Sequence, residues 1–151
     1  MLVEQITIHQ ADVVFDWVMR LLLELGEEGD ELGALAREKV LAAWREAGDR
    51  FQALAAKDEN GTILGILTLT ETFAIYANGN YGVIDEMYVA PEHRSAGVGA
   101  FLIDAAKEVG KQKGWTRIDV TAPESQRWDR TRRFYEKQVF VFTGPKLKLL
   151  L

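Results

Sequence analysis

Two glycines and an arginine in one short turn have the residue types and spacing of an anion-binding loop. Gly97 and Gly99 follow Arg94 closely and open a segment with apolar residues at helical spacing. The first turn of a helix has backbone N–H groups without intrahelical partners, and the helix dipole makes that end positive. Glycine lets a bulky anion approach the backbone, and arginine can add two parallel hydrogen bonds. The pattern indicates phosphate binding, with a glycine-softened helix start that binds nothing as the alternative.

Carboxylates inside apolar strands form a second group of residues suited to chemistry. Asp85 and Glu86 interrupt the apolar stretch Val83–Val89, and Asp119 interrupts a later one. Burial disfavours the charged form of a carboxyl group and raises its pKa towards the range of a general base. Strand alternation predicts that Asp85 and Glu86 point to opposite faces of the sheet. Each of the three is a candidate base, with a solvated or salt-bridged acid as the alternative.

The residues around the glycines argue against two other phosphate-binding motifs. A dinucleotide fold requires Gly-x-Gly-x-x-Gly directly after its strand. Here seven residues separate Val89 from Gly97, and Leu102 stands in the place of the third glycine. The lysine of a Walker loop is missing after Gly99. A nucleotide-binding oxidoreductase is therefore the weakest of the classes that we consider.

A series of strands and helices must position these residues. Asp12 is the expected cap of the first helix, and Asn60-Gly61 is a hairpin turn signal. The later strand is reached through a helix, which predicts that it runs parallel to the central strand. The predicted helices span 12–25, 31–47, 98–113 and 126–138, and the predicted strands span 3–8, 50–57, 62–75, 83–89, 115–121, 140–143 and 146–151. We expect an α/β (α+β) fold with a mixed, mostly antiparallel sheet of six to seven strands, flanked by about four helices on both faces.

Length and composition limit the class of protein. The 151 residues predict a single domain over 1–151. The absence of cysteine excludes disulfides, thiolate metal sites and an acyl-cysteine intermediate. There is no long apolar run and no signal-peptide pattern, so we expect a cytoplasmic protein that neither spans a membrane nor binds a metal.

Charge is distributed unevenly along the chain. The net charge of -5 argues against non-specific nucleic-acid binding. Residues 1–93 carry six basic and 17 acidic residues, whereas residues 94–151 carry 12 basic and six acidic ones. A basic half suits a polyphosphate cofactor and an acidic half suits a cationic acceptor, with ordinary surface charge as the alternative.

The motifs around the glycine turn resemble those of the GCN5-related N-acetyltransferase (GNAT) family. Arg94–Gly99 is similar to the family's Arg/Gln-x-x-Gly-x-Gly/Ala motif, and the resemblance extends upstream through Asp85–Val89 and Pro91–Arg94 and downstream to Phe134–Lys137. The recognisable motifs cover about a third of the chain, and the order of elements fits throughout. The resemblance implies an N-acetyltransferase that moves an acetyl group from acetyl-coenzyme A directly to a primary amine in a ternary complex. A non-catalytic acyl-coenzyme A sensor or structural module is the alternative.

The resemblance also implies roles for individual residues. Tyr135 would donate a proton to the leaving thiolate, with a core tyrosine whose hydroxyl lies at the surface as the alternative. Glu86 is preferred to Asp85 and Asp119 as the base, because family bases lie on this strand, although a water relay or an amine of low pKa would need none. The turn would hold the pyrophosphate of the coenzyme, and the strand before it would hydrogen-bond to the pantetheine arm. The implied cofactor-binding residues are Met87, Tyr88, Val89, Arg94, Ser95, Ala96, Gly97, Val98, Gly99 and Ala100.

The chain departs from the family pattern at three positions. Trp128 replaces an asparagine, Thr131 replaces a small residue, and Val139 replaces the glycine after the late helix. Trp128 exchanges a hydrogen-bonding side chain for a bulky one beside the expected acceptor cleft.

Acidic residues in the link between the first two helices suit a cationic acceptor. An acidic rim would attract a small-molecule amine, such as a polyamine or an aminoglycoside, or a basic peptide N-terminus or lysine, with a solvated acidic face as the alternative. Four late arginines could meet the adenosine 3′-phosphate, and we expect that one or none of them does. The expected closing strands favour a homodimer. The acidic residues are Glu24, Glu27, Glu28, Asp30 and Glu31, and the arginines are Arg127, Arg130, Arg132 and Arg133.

Overall fold

One five-stranded sheet with helices on both faces makes up the described part of the chain. The structure is a computed structural model that describes residues 1–26, 36–122 and 128–151. The predicted acidic residues 27, 28, 30 and 31, and the arginine at 127, lie outside the described residues. The strands are β1 (Leu2–Ile6), β2 (Phe51–Lys57), β3 (Ile63–Ala74), β4 (Gly79–Val89) and β5 (Ile118–Val120). The described helices are α1 (Ala11–Leu25), α2 (Arg37–Ala47), α3 (Val98–Lys113) and α4 (Asp129–Lys137).

The order of strands in the sheet follows the order in the chain. Strands β1 to β4 pair antiparallel with their neighbours, and β5 pairs parallel to β4 after the crossover through α3. The hairpin between β2 and β3 is closed by Asp58, whose carboxylate accepts the N–H groups of Asn60 and Thr62, both at 2.8 Å. The predicted mixed, mostly antiparallel sheet is therefore confirmed.

The predicted number of six to seven strands is wrong. Residues 138–151 form no strand, although 140–143 and 146–151 have the apolar content of one. Their side chains are largely solvent-exposed, and Leu147 is 90% exposed. Pro145 has no N–H to donate and Gly144 has a φ of 139°, so the segment is interrupted between the two predicted strands. The neighbouring edge strand β5 has only three residues and offers few backbone partners.

Two hydrophobic clusters cover the two faces of the sheet. On one face, buried residues of α3 and α4, such as Leu102 and Tyr135, pack against Leu67 and Leu69 of β3. On the other face, α1 and α2 contribute Trp17 and Trp44 among others. We name these the α3/α4 face and the α1/α2 face.

The first helix begins earlier than its predicted cap. Gln10 is the N-cap residue, so the cap predicted at Asp12 is wrong. Asp12 lies instead in the first turn, where its carboxylate pairs with Arg37 of α2. Gly26 ends α1 in the left-handed conformation with a φ of 78°. None of the helices in the described ranges combines the length and apolar character needed to cross a membrane.

Candidate active site

The sheet opens where β4 and β5 diverge. The ladder between them contains three residue pairs and ends at Ile84 and Val120. From Met87 to Val89, β4 remains paired with β3, and in the described part of the chain no strand pairs with the other side of β4 beyond Ile84. Residues of β4 beyond Ile84 therefore border an opening in the sheet.

Backbone groups of β4 point into this opening. The N–H of Ala90 donates to the carbonyl of Leu64 (3.1 Å), which fixes the alternation of hydrogen bonds along the strand. In an antiparallel ladder every second residue directs its N–H and C=O away from the partner strand. Met87 and Val89 are therefore the residues whose groups point away from β3. The carbonyl of Val89 indeed accepts a hydrogen bond from Nε of Arg94 (3.0 Å). The sheet edge thus offers amide donors suited to a carbonyl or amide group.

The glycine turn presents a second set of amide donors. The N–H of Phe101 donates to the carbonyl of Gly97 (3.0 Å) and is the first amide of this region with an internal backbone acceptor. Across the described residues, the N–H groups of 95–100 have no hydrogen-bond acceptor. Ser95, Ala96 and Gly97 are exposed to solvent. The turn and the start of α3 therefore have the open, donor-rich surface that an anion requires.

The two glycines of the turn serve different purposes. Gly97 has a φ of 84°, and a Cβ there would meet no atom within 4 Å, so it is the backbone conformation that favours glycine. Gly99 lies beside α4, and a Cβ there would stand 3.0 Å from the ring of Phe134. Gly99 thus allows the close approach of α3 to α4, a role different from the open anion path that we expected at this position.

Arg94 is held by protein groups rather than pointing freely into the turn. Its two terminal nitrogens donate to the two carboxylate oxygens of Glu24 on α1, at 2.8 and 2.7 Å. Its guanidinium also lies 5.4 Å from the ring centre of Tyr88. The hydrogen bonds that Arg94 donates to Glu24 raise the pKa of Arg94 above its ordinary value. Arg94 therefore ties the end of β4 and the turn to α1.

A basic residue of α4 reaches the turn instead. One terminal nitrogen of Arg130 donates to Oγ of Ser95 at 2.6 Å. Ser95 itself has a φ of 66°, so this contact supports a left-handed residue of the turn. Of the described arginines proposed to meet a phosphate, Arg130 lies at the turn, whereas Arg132 pairs with Asp129 and Glu136 on its own helix.

A β-bulge brings the two strand carboxylates to the same face. The register of β3 and β4 shifts so that Asp85 and Glu86 together oppose Thr68. The Thr68 hydroxyl donates to the Glu86 carboxylate, and the Thr70 hydroxyl donates to the Asp85 carboxylate at 2.5 Å. Thr68 and Thr70 are two residues apart on β3 and so lie on one side, the α1/α2 face. The predicted opposite orientation of Asp85 and Glu86 is wrong, because the bulge interrupts the alternation.

Burial dominates the electrostatics of this pair. Desolvation raises the pKa of Glu86 above its ordinary value, the hydrogen bond from Thr68 partly offsets this, and the nearby charge of Asp85 raises the pKa further. Desolvation also raises the pKa of Asp85. The third candidate, Asp119, is bound through both oxygens to Arg117 (2.7 and 2.9 Å). Glu86 is therefore the candidate whose surroundings best suit proton uptake near neutral pH.

Tyr135 lies on the opposite face of the sheet from Glu86. It is 7% exposed and packs between Phe134 and Phe140, with ring centres at 5.3 and 5.6 Å. Burial raises the pKa of Tyr135 to about 12, so its phenol keeps the proton at neutral pH. The residue lines an open cleft of about 1040 Å³ that also contacts Ile84, where the opening in the sheet begins. A protonated phenol therefore lies at this cleft.

Sequence reasoning missed the threonine partners of the two carboxylates. Thr68, Thr70 and Thr72 alternate with apolar residues in β3, and this row of hydroxyls was the available signal.

Trp128 is the N-cap residue of α4 and is partly buried there. The described residues contain no cluster of three histidine, aspartate or glutamate side chains arranged to bind a metal ion.

The family comparison identifies a match over most of the chain. The model of the acetyltransferase (GNAT) family matches residues 16–140, a range that includes β4, the glycine turn and Tyr135. No curated protein sequence is significantly similar to the chain.

Solved structures share the fold at low sequence identity. An aminoglycoside acetyltransferase from an uncultured soil metagenomic sample has a TM-score of 0.81 at 22% identity, covering 99% of this chain and 97% of that one. A transcriptional regulator from Bacillus halodurans C-125 has a TM-score of 0.78 at 22% identity, covering 99% of both chains. A ribosomal-protein-alanine N-acetyltransferase from Brucella melitensis biovar Abortus 2308 has a TM-score of 0.69 at 16% identity, covering 100% of this chain and 99% of that one.

Proposed function

The chain belongs to the acetyltransferase (GNAT) family, and we propose on this basis that it is an N-acetyltransferase that transfers an acetyl group from acetyl-coenzyme A directly to a primary amine. Family membership implies acyl transfer from acetyl-coenzyme A. One observation carries the finer proposal: the opening between β4 and β5 is bordered by Glu86 on one face of the sheet and Tyr135 on the other. A base and an acid on opposite sides of one opening suit attack by an amine from one side and departure of a thiol from the other.

The backbone donors fit an acyl-coenzyme A. The open N–H groups of 95–100 would hold the pyrophosphate, with Arg130 adding positive charge beside the turn. The amides of Met87 and Val89, directed into the opening, would bind the amide and carbonyl groups of the acyl-carrying arm. When bound, the coenzyme supplies the activated acetyl group. Arg94 acts here as a positioning residue, because Glu24 and Val89 occupy its nitrogens.

Glu86 is the proposed general base. An amine must lose a proton to become the attacking group, and a carboxylate with a raised pKa accepts a proton efficiently near neutral pH. Thr68 fixes the orientation of the Glu86 carboxylate through its hydroxyl. Asp85, held nearby by Thr70, adds negative charge that favours the approach of a cationic amine.

Tyr135 is the proposed acid for the leaving thiolate. A phenol whose pKa is about 12 remains protonated throughout the neutral range. Its burial excludes bulk water from the donor, which strengthens a hydrogen bond to a developing negative charge. The chain has no cysteine that could carry the acetyl group, which excludes an acyl-cysteine intermediate and supports direct transfer.

The acceptor is proposed to be a small-molecule amine or a basic peptide. The negative pair Asp85 and Glu86 would favour a substrate with more than one positive charge. Aminoglycosides and the alanine of a ribosomal protein are the acceptors in the names of two proteins of similar fold, and both belong in a first substrate panel.

Thiol release in the presence of an amine panel tests the proposal. The wild-type chain is expected to release coenzyme A with at least one polyamine, aminoglycoside or alanine-starting peptide. Tyr135→Phe should lower kcat by about 10²–10⁴-fold with little change in KM for acetyl-coenzyme A. Tyr76→Phe, at an exposed tyrosine of the β3–β4 hairpin, is the matched control and should retain wild-type turnover. Tight coenzyme binding without turnover of any amine would instead identify a non-catalytic acyl-coenzyme A-binding module.

A further inference from the structure

The segment after α4 returns to the candidate active site. We call residues 139–151 the C-terminal tail. The N–H of Phe140 donates to the carbonyl of Tyr135 (3.1 Å), which anchors the start of the tail beside the proposed acid. Gly144, with a φ of 139°, and Pro145 then redirect the chain. Lys146 follows directly after this bend.

Lys146 lies in the cleft that contains the proposed acid. It lines the open cleft of about 1040 Å³ together with Tyr135, Val83 and Ile84. Ile84 is the last residue of β4 that pairs with β5, so the cleft reaches the start of the opening that Glu86 borders from the other face. Desolvation raises the pKa of both Asp85 and Glu86, and the attraction of the Lys146 ammonium offsets part of that rise. A primary amine of the chain itself therefore shares this cleft with Tyr135, the proposed acid.

We propose that Lys146 is a site of self-acetylation, at which the chain transfers an acetyl group from acetyl-coenzyme A to its own Nζ atom. This inference rests on the proposed function and names one acceptor of the same site. The tail is largely exposed and, among the residues that the structure describes, pairs with no strand, so local opening of the tail can bring Nζ to the space between β4 and β5.

The bonds and protons of the proposed transfer balance with Glu86, Tyr135 and Lys146 as the reacting groups of the chain. With Nζ in the opening between β4 and β5, Glu86 takes a proton from the Lys146 ammonium, and the freed Nζ lone pair attacks the thioester carbonyl carbon. A carbon–nitrogen bond forms and the carbon–sulfur bond breaks with its electron pair on sulfur. The thiolate takes the proton of Tyr135, which solvent later restores, and the second proton on nitrogen is released. The products are Nε-acetyl-lysine, free coenzyme A and one proton.

Acetylation would also change how the tail interacts with the site. An acetylated lysine has no positive charge. The attraction between residue 146 and the pair Asp85 and Glu86 would then be lost. The modified tail is expected to leave the cleft and open it to other amines.

Mass mapping after incubation with acetyl-coenzyme A tests the proposal on the full chain. We expect one acetyl group per chain, located at Lys146, and an initial rate per molecule that does not change when the protein is diluted. Lys146→Arg should remove this label. Lys148→Arg, two residues further along the same tail, should keep it. Tyr135→Phe should slow labelling of Lys146 but not the slow chemical acetylation of surface lysines.

Each result has a definite meaning. Release of coenzyme A with added amines but equal, slow labelling of Lys146 and Lys148 would overturn self-acetylation and leave the proposed function standing. Labelling of Lys146 that survives Tyr135→Phe unchanged would show spontaneous chemistry and also overturn it. Neither thiol release with any amine nor labelling would overturn the proposed function and the self-acetylation together.

Discussion

Thr68 and Glu86 contact each other twice across the β3–β4 ladder. The Thr68 hydroxyl donates to the Glu86 carboxylate and accepts the Glu86 backbone N–H at 3.0 Å. The first contact orients the carboxylate, and the second gives the bulged amide an acceptor that the ladder no longer provides. A single buried hydroxyl therefore stabilises both the bulge and the proposed base.

Replacing Thr68 by valine should shift the pH dependence of the reaction. Valine has a similar shape but lacks the hydroxyl that favours the charged carboxylate, so the pKa of Glu86 should rise further above its ordinary value. A base must be deprotonated, and the acid limb of the kcat profile should therefore move to higher pH. We also expect a loss of stability of about 1–3 kcal/mol, because the buried N–H of Glu86 loses its partner.

Thr68→Ser is the control for this substitution, since it keeps the hydroxyl. It should restore the position of the acid limb, as measured from turnover over the acidic and neutral range. An unchanged profile in Thr68→Val would remove Glu86 from the proposed proton transfer.

The sequence predicted features of the site that lie within one continuous segment. It did not predict features that depend on contacts between strands distant in the chain. The bounds of α3 and the open amides before it follow from glycine and helix-start chemistry in one continuous segment. The bulge at Asp85 and Glu86 depends on how β4 aligns with β3, and alternation along one strand contains no information on that register. The tail illustrates the same limit, because apolar residues indicate a strand without showing that a partner edge exists.

Gly97→Ala tests the anion-binding turn with little steric disturbance. A Cβ there meets nothing within 4 Å, so the substitution should destabilise the fold mainly through the φ of 84°. The left-handed conformation costs a residue with a Cβ about 1–2 kcal/mol. We expect weaker coenzyme A binding in calorimetry, because the strained turn would no longer present its amides in the same arrangement. Unchanged affinity, with the expected loss of thermal stability, would show that the turn does not bind the coenzyme.

Gly99→Val should act on helix packing instead. The added side chain would collide with the ring of Phe134, and overpacking of this kind costs about 1–3 kcal/mol. Tyr135 follows Phe134 directly in the chain, so displacement of Phe134 should also displace the proposed acid. We therefore expect kcat to fall more than coenzyme affinity. The companion change Phe134→Leu should recover part of the lost stability. A loss of coenzyme affinity with normal stability would instead favour a direct role for Gly99 in the anion path.

The pairing of Arg94 with Glu24 predicts that mutations of the two residues have coupled effects on coenzyme binding. Both side chains are about one-third exposed, with values of 33% and 28%. If Arg94 acts by positioning the turn, Arg94→Lys and Glu24→Gln should each weaken coenzyme binding. Their effects should be non-additive by about 0.5–3 kcal/mol in a double-mutant cycle. A large effect of Arg94→Lys beside an unaffected Glu24→Gln would indicate direct contact of Arg94 with phosphate.

Val139→Gly should stabilise the chain. Val139 follows α4 with a φ of 70°, a conformation that branched residues rarely adopt, and it stands where the GNAT family usually has glycine. Its side chain is 84% exposed, so truncation removes little packing. Relief of the left-handed strain should raise the free energy of unfolding by about 1 kcal/mol, reduced by the greater flexibility of glycine in the unfolded chain. Val141→Gly, at an 81% exposed position without a positive φ, should be neutral or destabilising in the same denaturant titration. Equal effects of the two substitutions would show that the backbone at Val139 is not strained.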